Sequence, residues 1–329
     1  MLDILVSPFM LRAFLAAAVT GVCAPAVGTY LVQRRLSLMG DGIGHICVTG
    51  VALGLLTGTS PTLTAVLVAA AGAFLIELIR STGRASGDVA LALLFYGGIA
   101  GGLVLVSFAG NGAFALQGYL FGSITTISGT DVAAAAGMAA AVVLLALALL
   151  PQLFAVANDE DFARTSGLPV RLYNVLIAVL AAVTITVAMR TVGLLLVSAL
   201  MVIPVATSQQ FARSFRTTML GAMLAGLVAA LLGLTTSAFV DLPPGATIVL
   251  VSLVGFALTA PVGAAVQRRR RRRVPFPAEP LPGHRTVDEP HGHHHGPGCG
   301  HEAVEHGDHV DYLHGSHRHA VHGGHYDEH

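Results

Sequence analysis

A chain of 329 residues with 54% hydrophobic and 11% charged residues and a mean hydropathy of +0.74 is too apolar for a soluble domain, in which about 25% of residues are charged. The zero net charge hides an asymmetry: sixteen arginines face nine acids up to Arg273, and two face nine from Val274 onward. All 18 basic residues are arginine, and without a lysine the chain cannot build a Walker A loop, so any ATP hydrolysis falls to a partner.

Apolar windows long enough, or nearly so, to span a bilayer core of about 30 Å lie at 9–32, 43–58, 61–79, 89–109, 132–156, 170–189, 192–208, 217–239 and 246–266. The expectation is an all-α polytopic membrane protein with nine transmembrane helices. Several windows are short and rich in glycine, so eight spans plus a re-entrant or surface helix is the alternative. Arg12 precedes an apolar run that reaches CAPA at 23–26, the outline of a signal peptide, yet the run continues to Val32 and further spans follow. It reads as an uncleaved first helix. Arginines mark every second loop: Arg34 and Arg35, Arg80 and Arg84, Arg164 and Arg171, Arg213 and Arg216, and Arg268 to Arg273. Retained loops are enriched in basic residues, which places these loops and the C-terminus in the cytoplasm. Arg12 and Arg190 depart from the pattern.

The stretch RRLSLMGDGIGHICVTGVALG, at 34–54, sets Asp41 and His45 at the mouth of the second window, and His45 is the only histidine before His284. Spaced i, i+4, they share one helix face with Cβ atoms about 5–6 Å apart, so a carboxylate and an imidazole can both reach one divalent ion. A second copy brought alongside by a two-fold axis would make four ligands, the number zinc favours, whereas manganese prefers more oxygen. A helix-start aspartate with His45 held by a backbone carbonyl would also account for the pair. Gly50, Gly54 and Gly58 follow as a doubled small-xxx-small repeat, which serves either a tightly lined path or ordinary helix packing.

The other acids near the spans read as structural. Glu77 stands three residues before Arg80 as a surface ion pair, and Asp88, Asp131 and Asp241 fall at segment borders, where capping is the default. After the fifth window, Asp159, Glu160 and Asp161 followed by Arg164 predict a short amphipathic helix on the cytoplasmic side. Pro204, near the end of the seventh window, predicts a break or bend. Cys23, Cys47 and Cys299 form no C-x-x-C pair and imply no disulfide framework.

Beyond a 267–273 arginine cluster at the membrane surface, residues 274–329 are rich in Pro, Gly, His and acids and nearly free of aliphatic side chains. Such a tail buries too little surface to offset its ordering entropy, so it is expected to be disordered. Its imidazoles, at His291, His293, His294, His295, His301, His306, His309, His314, His317, His319, His322 and His325, offer nitrogen ligands to zinc, nickel, copper or cobalt. The domains are thus a membrane part at 1–266, the arginine cluster, and a metal-binding tail.

In order along the chain, Arg34 and Arg35, LSLMGDGIGH, GVALG, SGDVALALLFYGG, LQGYLFGSITTISGTD, NDEDFARTSGLP, VGLLLVSALMVIPVAT and DLPPGATIVLVSLVGF resemble the permease subunits of ATP-binding-cassette importers for zinc and manganese. The likeness covers roughly residues 9–266. It implies a homodimer in the bacterial plasma membrane, fed by an extracytoplasmic metal-binding protein and driven by a cytoplasmic ATP-binding subunit, with no nucleic-acid partner. The metal, Zn²⁺ first and Mn²⁺ next, is cargo, no cofactor is bound permanently, and ATP acts only through the partner. Asp41 and His45 fall on the family's GD-x-x-x-H motif, which lines the metal path. Pro204, Gln209, Gln210 and Arg213 fall in the segment leading to the ATPase contact, and Asp159, Glu160 and Asp161 in another cytoplasmic segment. The chain departs from the pattern at Gly42 and Gly44, where the family more often has alanine, at Gly87, where it has glutamate, and in its histidine-rich extension. The competing reading is a proton-driven secondary metal transporter or exporter. Such proteins need several ionisable ligands within spans, and only Asp41 and His45 form a plausible pair. A membrane-bound metal sensor would rest on the tail alone.

Overall fold

The computed structural model describes residues 7–81, 87–110, 112–122, 128–189 and 192–273, and in the tail 285–286, 294–296, 298–306, 309–314, 317–322 and 325–328. By contacts the chain divides into two units, Met1–Gln267 and Arg268–His329.

The described helices are α1 (Pro8–Gln33), α2 (Met39–Thr57), α3 (Pro61–Ser81), α4 (Gly87–Ser107), α5 (Gly112–Phe121), α6 (Gly129–Ala148), α7 (Leu150–Asn158), α8 (Glu160–Thr165), α9 (Val170–Ala188), α10 (Leu194–Gln209), α11 (Phe215–Val240) and α12 (Pro244–Arg273). Eight of them are long and apolar enough to cross a bilayer: α1, α2, α3, α4, α6, α9, α11 and α12. The seventh window became the 16-residue α10. At 1.5 Å per residue it reaches about 24 Å, short of the hydrocarbon thickness. The described residues therefore match the eight-span alternative.

The fifth window overran its helix. A turn at Leu149 separates α6 from α7, because Pro151, in the first turn of α7, has no N–H to give the Leu147 carbonyl and stops the first helix. Pro204 behaves differently: α10 runs on through it to Gln209, so the expected break does not occur. Ends elsewhere follow local chemistry. Ser128 and Asp131 form a reciprocal capping box on α6, Ser214 and Thr217 do the same on α11, and Asp241 closes α11 in the left-handed conformation.

The inner helices are α1, α2 and α9, and the outer ones, including α4, α6 and α12, turn leucines such as Leu93, Leu103, Leu144 and Leu258 outward. Lipid gives these side chains no reason to cluster, so small residues set the packing. Gly21 of α1 and Gly226 of α11 lie backbone to backbone: a Cβ on Gly21 would stand 2.7 Å from the Gly226 carbonyl oxygen. One Cβ on Gly28 would stand 2.0 Å from the Met201 carbonyl oxygen of α10. Gly50 and Gly54 seat the start of α3 at Ala65 and Pro61, and Gly58 caps α2 at φ +67°. The glycine repeat is thus helix packing and a cap. Buried Tyr30 is satisfied internally, as an apolar solvent requires, by donating its hydroxyl to the Ala146 carbonyl at 2.6 Å.

In the tail, where composition predicts disorder, the described residues pair as five short strands: β1 (Arg285–Thr286), β2 (Ala303–His306), β3 (His309–His314), β4 (His317–His322) and β5 (His325–Glu328). They form one antiparallel sheet in the order β1-β5-β4-β3-β2. Its registers pair His306 with His309, His314 with His317 and His322 with His325. Each hairpin link is therefore two residues, and in sequence each begins with glycine: Gly307, Gly315 and Gly323. Glycine-first dipeptides between short strands favour tight hairpins, and backbone pairing then replaces the aliphatic core that the tail lacks.

Candidate functional site

Asp41 occupies the first turn of α2, and His45 and Thr49 follow at successive turns. These three are half-buried while the residues between them are buried, so they form one open stripe along the helix. The stripe faces α4. Thr49 donates its hydroxyl to the Gly98 carbonyl at 2.6 Å, and a Cβ on Gly98 would stand 2.8 Å from the His45 carbonyl carbon and oxygen. Gly102 repeats this contact one turn on, against Val48 and Thr49. Glycine is required at 98 because α2 and α4 touch through their backbones there.

Asp41 lines a cleft of about 240 Å³ with Leu38, Leu91, Ala92, Phe95 and Tyr96. Phe95 meets the His45 ring edge-on, with centroids 4.1 Å apart. On the other side the Ser198 hydroxyl of α10 donates to Asp41 Oδ1. Sequence reading missed Ser198, because a serine in an apolar run carries no local signal. What the site offers is a carboxylate oxygen, a hydroxyl oxygen and an imidazole, drawn from two helices and shielded by an aromatic ring.

The second group of candidates gathers at the C-terminal end of α1, around its cap residue Arg34. Glu160 Oε1 accepts from Arg34 Nη2 at 2.8 Å, from Arg80 Nη2, and from Asn174 Nδ2 at 3.2 Å. Asn174 also donates to Glu77 at 3.0 Å, and Glu77 pairs with Arg80 at 3.3 Å. Glu77 is 3% exposed, which corrects its reading as a surface pair: it is a buried member of a five-residue network. Burial pushes the Glu160 carboxyl up, but Arg80 and Arg34 outweigh it and hold the group below the usual carboxylate range. Burial, with Arg80 adding to it, pushes the Arg34 guanidinium down, and Glu160 and Glu77 counter it.

Asp159 caps α8 by accepting from the backbone of Asp161 and Phe162 at 3.0 and 2.9 Å. Asp161 faces outward. Glu160 lines a cleft of about 420 Å³ with Gln33, Arg34, Arg35 and Arg80, and Gln209 and Arg213 line another, of about 550 Å³, that also includes Gln33. The two predicted segments thus border clefts that meet at Gln33. Gln210 packs against Gly263 of α12, and Pro204 is buried within α10.

The sequence profile of the ABC 3 transport family matches residues 6–262. The chain belongs to that family. Among its relatives, the manganese import system permease protein ScaB of Streptococcus gordonii is 30% identical over 266 residues, 81% of this chain and 95% of that protein. The manganese transport system membrane protein MntC of Halalkalibacterium halodurans is 29% identical over 250 residues, 76% of this chain and 86% of that one. A solved structure of PsaBC from Streptococcus pneumoniae in complex with Fab superposes with a TM-score of 0.74 at 30% identity, covering 82% of this chain and 98% of the other. This ABC 3 protein is therefore the membrane permease of an ATP-binding-cassette metal importer, a transport subunit of the bacterial plasma membrane and not itself an enzyme.

The ABC 3 match stops before the tail, which carries a donor cluster of its own. The ligand atoms of His295, Cys299 and His301 all lie within 4.8 Å of one another. His295 stacks on Tyr312 of β3, with centroids 5.6 Å apart, and its Nε2 lies 3.2 Å from His319 Nδ1 of β4. His309 Nε2 approaches buried Asp311 at 3.3 Å. Of the other predicted tail ligands, His294 is exposed, while His306, His314, His317, His322 and His325 are placed by strand register only. His291 and His293 lie outside the described residues. Sequence reading passed over Cys299 for want of a second cysteine. The available signal was its position among clustered histidines.

Proposed function

We propose that this permease passes a divalent transition metal inward, Mn²⁺ ahead of Zn²⁺, with Asp41 and His45 as resting ligands. The observation that carries this reading is the open stripe of α2, where a carboxylate held by the Ser198 hydroxyl stands one turn from an imidazole. Ionisable side chains inside spans are costly and mark ion pathways. A carboxylate beside one imidazole, with room for further oxygen donors, suits manganese, and the relatives from S. gordonii and H. halodurans carry manganese in their names. The zinc preference drawn from the tail does not bear on the path.

One copy supplies too few donors for either ion, since zinc takes about four ligands and manganese prefers more oxygen. A second copy against α4 would add donors and would cover Leu38 and Tyr96, each 69% exposed. A shared, weakly held ion is also what conduction needs, because the ion must leave as readily as it enters. ATP-binding subunits would grip the clefts that meet at Gln33 together with the Asp159–Asp161 segment and the Gln209–Arg213 segment, and an extracytoplasmic binding protein would deliver the metal. The tail histidines would hold delivered metal in the cytoplasm as a buffer.

The test is uptake of radioactive Mn²⁺ and Zn²⁺ into vesicles holding this chain, with and without its ATPase and binding protein. Uptake that needs both partners and ATP supports the importer, and the faster ion is its cargo. Uptake by the chain alone, following a proton gradient, would make it a secondary transporter.

A further inference from the structure

The tail holds a more specific device than a run of histidines. His295 lies over the sheet face that carries Tyr312 and His319, positions paired across β3 and β4. His295 is the centre of the arrangement, 7% exposed, with His319 beside it at 2%. Its two ring nitrogens have different neighbours: Nδ1 lies 4.0 Å from Cys299 Sγ, and Nε2 lies 3.2 Å from His319 Nδ1. His301 completes the group within 4.8 Å.

We propose that His295 Nδ1, Cys299 Sγ and His301 form a site for a thiolate-seeking divalent metal of the Zn²⁺ class, with His319 as the residue that positions His295. The inference rests on the reading of the tail as a metal binder and adds to it a defined site, a cysteine and a preference distinct from that of the membrane path. Zinc bonds of about 2.3 Å to sulfur and 2.0–2.1 Å to nitrogen put the ligand atoms of a tetrahedral site about 3.3–3.6 Å apart, so groups now within 4.8 Å of one another draw in by at most about 1.5 Å. A histidine that ligates through one nitrogen fixes its ring by donating the other N–H to a neighbour, and the 3.2 Å contact between His295 and His319 provides that arrangement in the tautomer with the proton on His295 Nε2. On binding, the Cys299 thiol gives its proton to solvent and the metal takes its place. Sulfur with two imidazoles suits zinc and discriminates against manganese, which prefers oxygen. The fourth position is left for water or another donor.

The full-length chain in detergent, titrated with Co²⁺ as a spectroscopic stand-in for zinc, tests this directly. The expected result is a thiolate-to-cobalt charge-transfer band, lost on adding Zn²⁺ and unaffected by equal Mn²⁺. Cys299→Ser should abolish the band and weaken the tightest zinc binding by at least about 10–100-fold, the range already seen for loss of a positioning partner. Substitution His319→Ala should weaken binding by about 10-fold or more while the band keeps its position. Cys23 and Cys47, buried within α1 and α2, serve as internal controls, so a band that survives in C299S overturns the proposal. Cobalt bound without a thiolate band also overturns it but leaves the tail a histidine buffer, whereas equal metal binding with and without residues 275–329 overturns both.

Discussion

The Ser198 hydroxyl donates to Asp41 Oδ1, joining α10 to the first turn of α2 across 157 positions of sequence. It fixes one carboxylate oxygen, and in the proposed path the other would face the ion. Replacing Asp41 or His45 by alanine is expected to abolish uptake while the protein still assembles, and Ser198→Ala to weaken the metal dependence of uptake by about 10–100-fold, as for other partners of metal ligands. Transport rates over a range of metal concentrations check this, and full uptake by both D41A and H45A would remove the pair from the path.

Close approach at Gly98 makes a second prediction. An added methyl there meets the His45 backbone at 2.8 Å, and helix backbone cannot yield as a side-chain tip would. Gly98→Ala should destabilise the permease by about 1–3 kcal/mol, with Gly97→Ala, where a Cβ meets nothing within 4 Å, as the neutral control. Thermal unfolding in detergent measures the difference.

Acid should loosen the end of α1. Since the folded Glu160 carboxyl sits below its ordinary value of 4.5, the unfolded chain binds more protons near that pH. The stabilisation is then full above about pH 4.5 and is lost as pH falls through the folded value. Glu160 is 35% exposed, so solvent screens the pairs, and the shift in melting midpoint between pH 7 and pH 4 due to this group should be only about 1–3 °C. Glu160→Gln should remove that part of the acid sensitivity and leave the rest.

At the cleft shared through Gln33, Arg213 is exposed. Its reversal in Arg213→Glu should lower ATP-driven uptake by about tenfold through weaker engagement of the ATPase, without changing metal binding to the isolated permease. The ratio of metal moved to ATP hydrolysed in reconstituted vesicles reads this out, and unchanged uptake would take Arg213 out of the contact.

Removing residues 275–329 should lower retention of metal inside cells more than it lowers the initial transport rate. Equal retention by truncated and full-length cells would reject the buffer.

Much of this was legible in the sequence because a bilayer imposes a simple rule: eight of the nine apolar windows became helices of spanning length, and the short one held Pro204. Pro151 was the visible signal that the fifth window was too long, and hydropathy averaging concealed it. Asp131 and Asp241 sit at helix ends as their border positions predict. What the sequence could not show is pairing at long range. Arg80 was visible three residues from Glu77, but nothing near Glu77 announces Asn174, and nothing near Asp41 points to Ser198. In the tail, composition argued against a core, and the glycine-first dipeptides that permit strands register only when read as punctuation.

That punctuation has a further consequence. Each link of the tail sheet recurs eight residues after the last, with a histidine on either side: His306 and His309, His314 and His317, His322 and His325. One eight-residue unit brings a single strand with two imidazoles, at 307–314, or three, at 315–322. The number of imidazoles in this tail is therefore set in units of one strand, apart from the membrane helices that carry it.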